Sequence, residues 1–383
     1  MRRTFFILSA ILCVSLLFNC IGAFADATED GLLTLEEAKA MALKNDVHYH
    51  HQDENIQDAL EDYEKLSEDT SINSGRGSNI AQKEAARISK KIQLENAYSN
   101  VRKAILTKAD LKRASYSDTA NAFYAVIEAQ NSLASALTDL ELKRQELKKA
   151  EIKYMLNIVP KKTLTQAEEA CKNSEAAYNK AALELENCIS KLCKIIGRKL
   201  DMSKVKLDTT LDIPDIKSID LDKIKEDNLK NNLSYFSARE QYKLAEYQLA
   251  LTEEKYEDYY DDLKKGSSNV REEFDNMLYD AQKKFEDAEY SWNEKLEDLE
   301  ESLREQYESL EDLYENYLEQ KEDIDDMKLT VKENKTKHAM SIITKAALDS
   351  SIASLDKLEK QLFSIIIKLN KQYISLVQCS IEE

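Results

Sequence analysis

Apolar and small residues recur along most of this chain at spacings that alternate between four and three. The first track is Ala122, Val126, Ala129, Leu133, Ala136, Leu140, Lys143, Leu147, Ala150 and Tyr154, with one charged exception. After a break at Asn157–Lys162 a second track runs Leu164, Ala167, Cys171, Ser174, Tyr178, Ala181, Leu185, Cys188, Leu192 and Ile195. A mean period of 3.5 is that of helices wound against each other, and two tracks of equal length on either side of a short break predict an antiparallel hairpin. Many of its knobs are Ala, Ser or Cys, so the two helices can approach closely. A third track runs from Phe285 through Glu289, Trp292, Leu299 and Leu310 to Val331. A return track then runs from Leu348 through Ile352, Leu355, Glu359 and Leu362 to Leu376, after a break at His338–Ala347. A helix from Ile80 to Met155 would be about 114 Å long at 1.5 Å per residue.

The second pair of tracks repeats the first. Leu32-Leu33-Thr34-Leu35-Glu36-Glu37-Ala38 leads to Ala42-Leu43-Lys44-Asn45-Asp46, and 186 positions later Ile219-Asp220-Leu221-Asp222-Lys223-Ile224 leads to Asn228-Leu229-Lys230-Asn231-Asn232. Thr34 and Asp220 are helix N-cap candidates followed by acidic residues, which suit the positive end of a helix. Gly197 reads as the C-cap that ends the first hairpin. The expected organisation is therefore all-α, with one helical repeat over 26–200, a connector over 201–216 that contains Pro214, and a second repeat over 217–383. Val205-Lys206-Leu207 reads as a short extended piece in that connector. Ser71–Asn79 and Lys265–Asn269 read as flexible linkers at matching places in the two copies.

Composition supports long helices. In 383 residues there are 6 Gly and 2 Pro, too few turn formers for a multi-stranded sheet. The formal net charge of -18 gives a surface that on average repels nucleic acid and anionic headgroups. Residues 1–25 read as a secretory signal. Arg2 and Arg3 precede the apolar stretch Phe5 to Phe18, and Ala23-Phe24-Ala25 is a cleavage site; an uncleaved anchor is the competing reading. Cys171, Cys188, Cys193 and Cys379 would remain in the exported chain. They are an even number, which permits disulfides, although Cys171 and Cys188 fall on seam positions where Cys packs as a small hydrophobe.

Candidate chemistry is sparse. His48-Tyr49-His50-His51 places His48 and His51 on one helical face, but no ligand cluster of recognised spacing follows, so these read as surface histidines. The acidic and aromatic stretch Glu253–Asp262, with Tyr256, Tyr259 and Tyr260, reads as a solvated helix flank. No catalytic arrangement, phosphate loop or metal spacing stands out, and neither an enzyme nor a cofactor is expected. The functional candidates are the two hairpin tips: Asn157, Ile158, Val159, Pro160 and Lys161 in the first repeat, and Ser341, Ile342, Ile343 and Lys345 in the second. Ile158, Val159, Ile342 and Ile343 are apolar residues at turns expected to face water, a pattern that marks a partner surface or else local packing of the hairpin. Lys161, Lys162 and Lys345 give that end a basic rim.

Taken together, these residues resemble the TolC-like outer membrane efflux proteins. Such proteins open each repeat with a segment like Leu33-Thr34-Leu35-Glu36-Glu37-Ala38 followed by Ala42-Leu43-Lys44-Asn45. Their first tip resembles Tyr154-Met155-Leu156-Asn157-Ile158-Val159-Pro160 followed by Leu164 and Ala167, with Gly usual where Asn157 stands here. The second tip, Met340-Ser341-Ile342-Ile343 before Leu348, has Ser341 at the Gly position. The resemblance implies a trimer whose hairpins assemble into an α-helical conduit in the cell envelope. It also implies a membrane-fusion (adaptor) protein docked at the tips and an inner-membrane transporter as partners. The family's β-barrel strands would fall at Ser71–Asn79 and Lys265–Asn269. Those segments lack the roughly ten residues of alternating apolarity that a membrane strand needs, so a barrel-less relative is expected. The reading from a different class is an extracytoplasmic coiled-coil spacer or scaffold with no channel.

Overall fold

In the computed structural model, residues 31–69, 77, 79–199, 206–265 and 268–380 are described. The signal segment, most of Ser71–Asn79 and Val205 lie outside them. Repeat one consists of the two-residue strand β1 (Leu32–Leu33), α1 (Leu35–Asn45), α2 (Val47–Glu68), α3 (Ile80–Met155) and α4 (Lys161–Ile196). The connector holds β2 (Lys206–Leu207) and a 3-10 turn (Ile216–Ser218). Repeat two follows with α5 (Leu221–Asn231), α6 (Leu233–Asp258), α7 (Tyr260–Lys265), α8 (Ser268–Ala339) and α9 (Lys345–Val377). α3 has 76 residues and α8 has 72. The predicted start and end of α3 agree with the structure, and so do the two tandem helical repeats.

Capping fixes the corners. Thr34 Oγ1 accepts from Glu37 N at 3.2 Å while Glu37 Oε2 accepts from Thr34 N at 2.9 Å, closing a reciprocal box at the start of α1. Asp220 Oδ1 does the first half of this for α5, accepting from Lys223 N. Asp46 and Asn232, again 186 positions apart, then cap α2 and α6 through the N–H groups of Tyr49 and Tyr235. Each repeat thus opens with a short helix, a one-residue corner and a second helix.

β1 pairs with β2 in parallel, Leu32 with Lys206 and Leu33 with Leu207. This places Leu33 and Leu207 in a core with Ala38, Phe123, Val126, Ile127, Leu192, Ile196 and Ile367, where α1, α3, α4 and α9 meet. A second core joins Ile224 and Tyr235 to Leu303, Leu310 and Tyr317 of α8 and to Leu369 and Leu376 of α9. A smaller one holds Ala81 of α3 against Phe274 of α8.

These contacts set the relative direction of the two repeats. Near the start of both long helices, Asn79 Nδ2 donates to Glu273 Oε2 at 2.9 Å. Farther on, Lys371 Nζ reaches Glu128 of α3 at 3.1 Å, and the neighbouring Gln372 donates to the Gln306 carbonyl of α8 at 3.1 Å. Thus α3 and α8 run parallel, and both hairpin turns lie at the same end of the molecule.

Several expectations need adjustment. The second break is shorter than His338–Ala347, because α8 continues to Ala339 and α9 starts at Lys345 behind the N-cap Thr344. The first break likewise ends before Lys161, where Pro160 takes the N-cap position. Lys265 ends α7, and Ser268 and Asn269 already belong to α8. That linker is therefore reduced to Gly266 and Ser267, which lie outside the described residues. On the return track Ile352 and Glu359 are exposed. Ser351 and Leu358, three residues on from Leu348 and Leu355, take the inward positions instead. Cys171, Cys188 and Cys379 are free thiols. Cys379 is buried, and burial pushes its thiol pKa up.

The end of α4 yields a test of the fold. Gly197 has φ +68°, and a Cβ there would meet Asn45 Cγ at 2.4 Å. Gly197→Ala should cost roughly 1–3 kcal/mol, from left-handed strain and the lost approach of Asn45. Urea unfolding of the variant and of Asn45→Ala/Gly197→Ala checks this. The double variant should lose less than the sum of the two single changes, because both act on one contact.

Candidate functional site

Both tips are built from the same backbone device. Asn157 and Ser341 have φ of 55° and 57°, which ends each outgoing helix with a left-handed residue. In the first tip Ile158 N donates to the Lys153 carbonyl at 2.8 Å and Asn157 N to the Tyr154 carbonyl at 2.9 Å. In the second, Ile342 N donates to the Lys337 carbonyl at 2.8 Å and Ser341 N to the His338 carbonyl at 2.9 Å. These are the paired bonds of a Schellman end, and they satisfy helix carbonyls that would otherwise be orphaned. The return helices then start at Lys161 and Lys345. Pro160 caps α4 without a side-chain bond, whereas Thr344 Oγ1 accepts from Ala347 N.

The device decides what each tip presents. Ile158 is 65% exposed and Ile342 is 67% exposed, and they occupy equivalent places just past the left-handed residue. Met155 and Leu156 beside the first and Met340 beside the second are likewise exposed. Val159 and Ile343, one position later, are half-buried under the start of the return helix. The four branched residues thus divide into two that project into water and two that close the hairpin. Lys161, Lys162 and Lys345 are exposed.

The other candidates are placed elsewhere. His51 Nδ1 lies 2.9 Å from Glu54, and His50 Nε2 lies 3.2 Å from the Lys44 carbonyl. Among the described residues no group of three His, Cys, Asp or Glu is placed to hold a metal. The Glu253–Asp262 stretch differs from a solvated flank. Tyr256 and Tyr259 pack at the Phe274 core, and Tyr256 OH donates to Asp275 at 2.8 Å. That carboxylate is the main reason the Tyr256 pKa is raised. Lys255 sits between Asp258 at 2.6 Å and Glu254 at 2.8 Å, which raises its pKa in turn. The alternation of acids and tyrosines hid a packed corner whose partner, Phe274, lies across the α7–α8 break.

No family model matches the chain, and no curated protein does. Among solved structures, the outer membrane protein VceC of Vibrio cholerae superposes with a TM-score of 0.63 at 11% identity, covering 90% of this chain and 95% of that one. The CmeC outer membrane channel of Campylobacter jejuni gives 0.61 at 12% identity, over 90% of this chain and 85% of that one. The MtrE outer membrane channel of Neisseria gonorrhoeae gives 0.59 at 11% identity, over 90% and 88%. Among the described residues here, the one strand pairing is β1 with β2. The intervals where barrel strands would be inserted hold eleven residues between Glu68 and Ile80, and two between Lys265 and Ser268. A pair of membrane strands needs about twenty.

The tips generate a stability prediction. Ser341→Gly should raise stability by about 0.5–1 kcal/mol, and Asn157→Gly by less, because Asn tolerates the left-handed region better than Ser. Ile158→Ser and Ile342→Ser should stay within about 0.5 kcal/mol of the parent, as exposed changes do, while Val159→Ser and Ile343→Ser should each cost about 1 kcal/mol or more. Thermal unfolding of the six variants separates the projecting residues from the closing ones. At identities near one in nine the likeness is one of fold, and that fold is the one of the TolC-like outer-membrane efflux channels.

Proposed function

We propose that this protein is a channel component of the cell envelope, in which several copies close side by side into an α-helical conduit with the hairpin tips at one mouth. One observation carries this reading. Large apolar residues lie exposed on the shafts of both hairpins, away from the seams that α3 and α8 make with their return helices. Leu137 and Leu142 on α3, Leu183 on α4 and Leu318 and Leu329 on α8 are each more than 40% exposed. A lone spacer gains nothing from these residues, whereas neighbouring hairpins in a ring would bury them.

The fold supports the same reading, since the channels named above share it over nine-tenths of this chain. A trimer is the stoichiometry implied by the resemblance. The tips are the docking end, and an adaptor protein leading to an inner-membrane transporter is the partner the resemblance implies there. No helix among the described residues is long and apolar enough to cross a membrane. The chain's work in this reading is assembly and passage, not chemistry.

Sedimentation equilibrium of the mature chain tests it. Three times the protomer mass is expected, and closed symmetry should keep the mass from rising beyond that as concentration increases. Leu142→Glu/Leu183→Glu should shift the protein to monomer with its helicity kept. A wild-type monomer would leave the coiled-coil spacer as the correct reading.

A further inference from the structure

The charge of this protein is distributed along its length in a way that its net value conceals. Between residues 148 and 163, five lysines (Lys148, Lys149, Lys153, Lys161 and Lys162) stand against one acid, Glu151. Between residues 332 and 347, four lysines (Lys332, Lys335, Lys337 and Lys345) stand against Glu333. All nine are exposed. Of these nine, one has an ion-pair partner among the described residues, Lys337 with Glu333 at 3.2 Å. The two groups sit at the same end, around the exposed Met155, Leu156, Ile158, Met340 and Ile342. The arrangement is layered along the long axis. Apolar residues form the apex, and lysines surround it to about 12 Å behind.

We infer that this end seats on the surface of an anionic lipid bilayer, the apolar residues entering the headgroup region and the lysines holding the phosphates around them. The inference rests on the reading of the tips as the docking end and places a lipid surface there in place of the adaptor that the resemblance implies. Three features favour lipid over a protein surface. The lysines face several sides, since Lys148 and Lys149 alone project about 100° apart, as suits a plane of diffuse charge. Protein interfaces select Arg, Trp and Tyr and are depleted in Lys. Neither Arg nor Trp occurs in either tip segment, and Tyr154 is the one aromatic residue among Tyr, Trp and Phe there. Flexible aliphatic side chains at an apex ringed by lysines that can reach back to the headgroups fit an interface that has no fixed shape.

The acidic shaft does not prevent this contact. The long run of carboxylates on α8 ends at Asp326, fifteen residues before Ser341, or roughly 22 Å up the helix. The return helices add Glu168, Glu169 and Asp349 at the level of the lysines, so that nine lysines stand against five acids there; the screening length at physiological salt is about 8 Å, and the carboxylate row of α8 lies beyond it. The same polarity forces an end-on approach, because any other face presents acid to an anionic plane.

Co-sedimentation of the mature chain with vesicles tests the inference, using phosphatidylcholine alone and phosphatidylcholine with 30% phosphatidylglycerol. Binding to the anionic vesicles is expected, with little to the neutral ones, and it should weaken as salt rises. Lys161→Gln/Lys162→Gln/Lys345→Gln should reduce it about 100-fold, since each basic residue near an anionic surface contributes about fivefold. Ile158→Ser/Ile342→Ser should remove the part that survives high salt. Lys284→Glu, on α8 far from the tips, should bind as the parent does. Circular dichroism confirms that each variant is folded, and sedimentation equilibrium of the same samples reports assembly. Equal binding to both vesicle types, undiminished binding of the triple variant, or no binding by an intact ring would each overturn the inference; in the last case a protein such as an adaptor is what the tips meet. Loss of the ring with lipid binding kept would instead overturn the conduit and leave the membrane contact standing.

Discussion

The side-chain amide of Asn45 holds the first repeat in register. Its Nδ2 donates to the carbonyls of Lys194 and Ile195, 3.4 and 3.2 Å away and some 150 positions along the chain. Those carbonyls close the last turn of α4, where no intrahelical donor is left to meet them. Gly197 must lack a side chain for the amide to come so close. Because Asp46, the next residue, caps α2, one dipeptide ends α1, starts α2 and terminates α4. The second repeat uses the same device, with Asn231 Nδ2 donating to the Cys379 carbonyl at 2.9 Å and Asn232 capping α6. A two-helix seam is free to slide by a heptad at little cost in buried area. A polar bond at one end of the return helix removes that freedom.

The seams themselves differ between the repeats. Hairpin one is closed by Ala129, Ser174 and Cys188 as well as Leu140 and Leu192, so much of its burial comes from close backbone approach. Hairpin two is closed by Leu303, Leu310, Tyr317 and Ile324, and so buries more side-chain surface per turn. Phe123, Tyr124, Val126 and Ile127 are all buried, and together they span about 160° of the helix surface, wider than the stripe of a two-helix seam. There α3 is enclosed by α1, α4 and α9 at once, and the hairpins change from a two-helix seam to a solid core.

Much of this was legible in the sequence because heptad periodicity and helix caps are local. The limits of α3, the capping of α1 by Thr34 and the left-handed end at Gly197 each depend on residues within a turn of one another. The tips were legible as turns for the same reason, although Ser341 gives a weaker signal than Gly, and the second break is shorter than the residue pattern indicates. What was not legible lies between distant segments. Nothing near Asn45 announces that its amide caps a helix end 150 residues away. Nothing near Tyr256 and Tyr259 shows that Phe274 will cover them. Ile352 has the apolar character and the spacing of a seam residue, yet it is exposed while Ser351 and Leu358 are half-buried, an offset that the heptad pattern of one helix does not show. The division of the tip residues into projecting Ile158 and half-buried Val159 needed the backbone of the turn.

Charge narrows how copies of this chain can meet. From Glu301 to Asp326 a carboxylate recurs along α8 at steps of four then three, through Glu308, Glu315 and Glu322, always opposite the buried line of Leu303, Leu310, Tyr317 and Ile324. Like charges at those spacings repel within the helix. From Glu305 onward, the acids at these steps have no ion-pair partner among the described residues. Burying such a row against a neighbour would require a matching row of cations. The outer faces of hairpin one instead present Asn131, Ser135, Thr138, Leu142 and Leu183. The carboxylate face therefore stays in water in the proposed ring. The faces left for contact between copies are the partly apolar flanks of α3 and α4, where charges are of both signs, together with the sides of α8 that carry Leu318. Exposed leucines and unpaired carboxylates thus divide the shaft into surfaces that can be buried and surfaces that cannot, and a closed ring of parallel hairpins satisfies both.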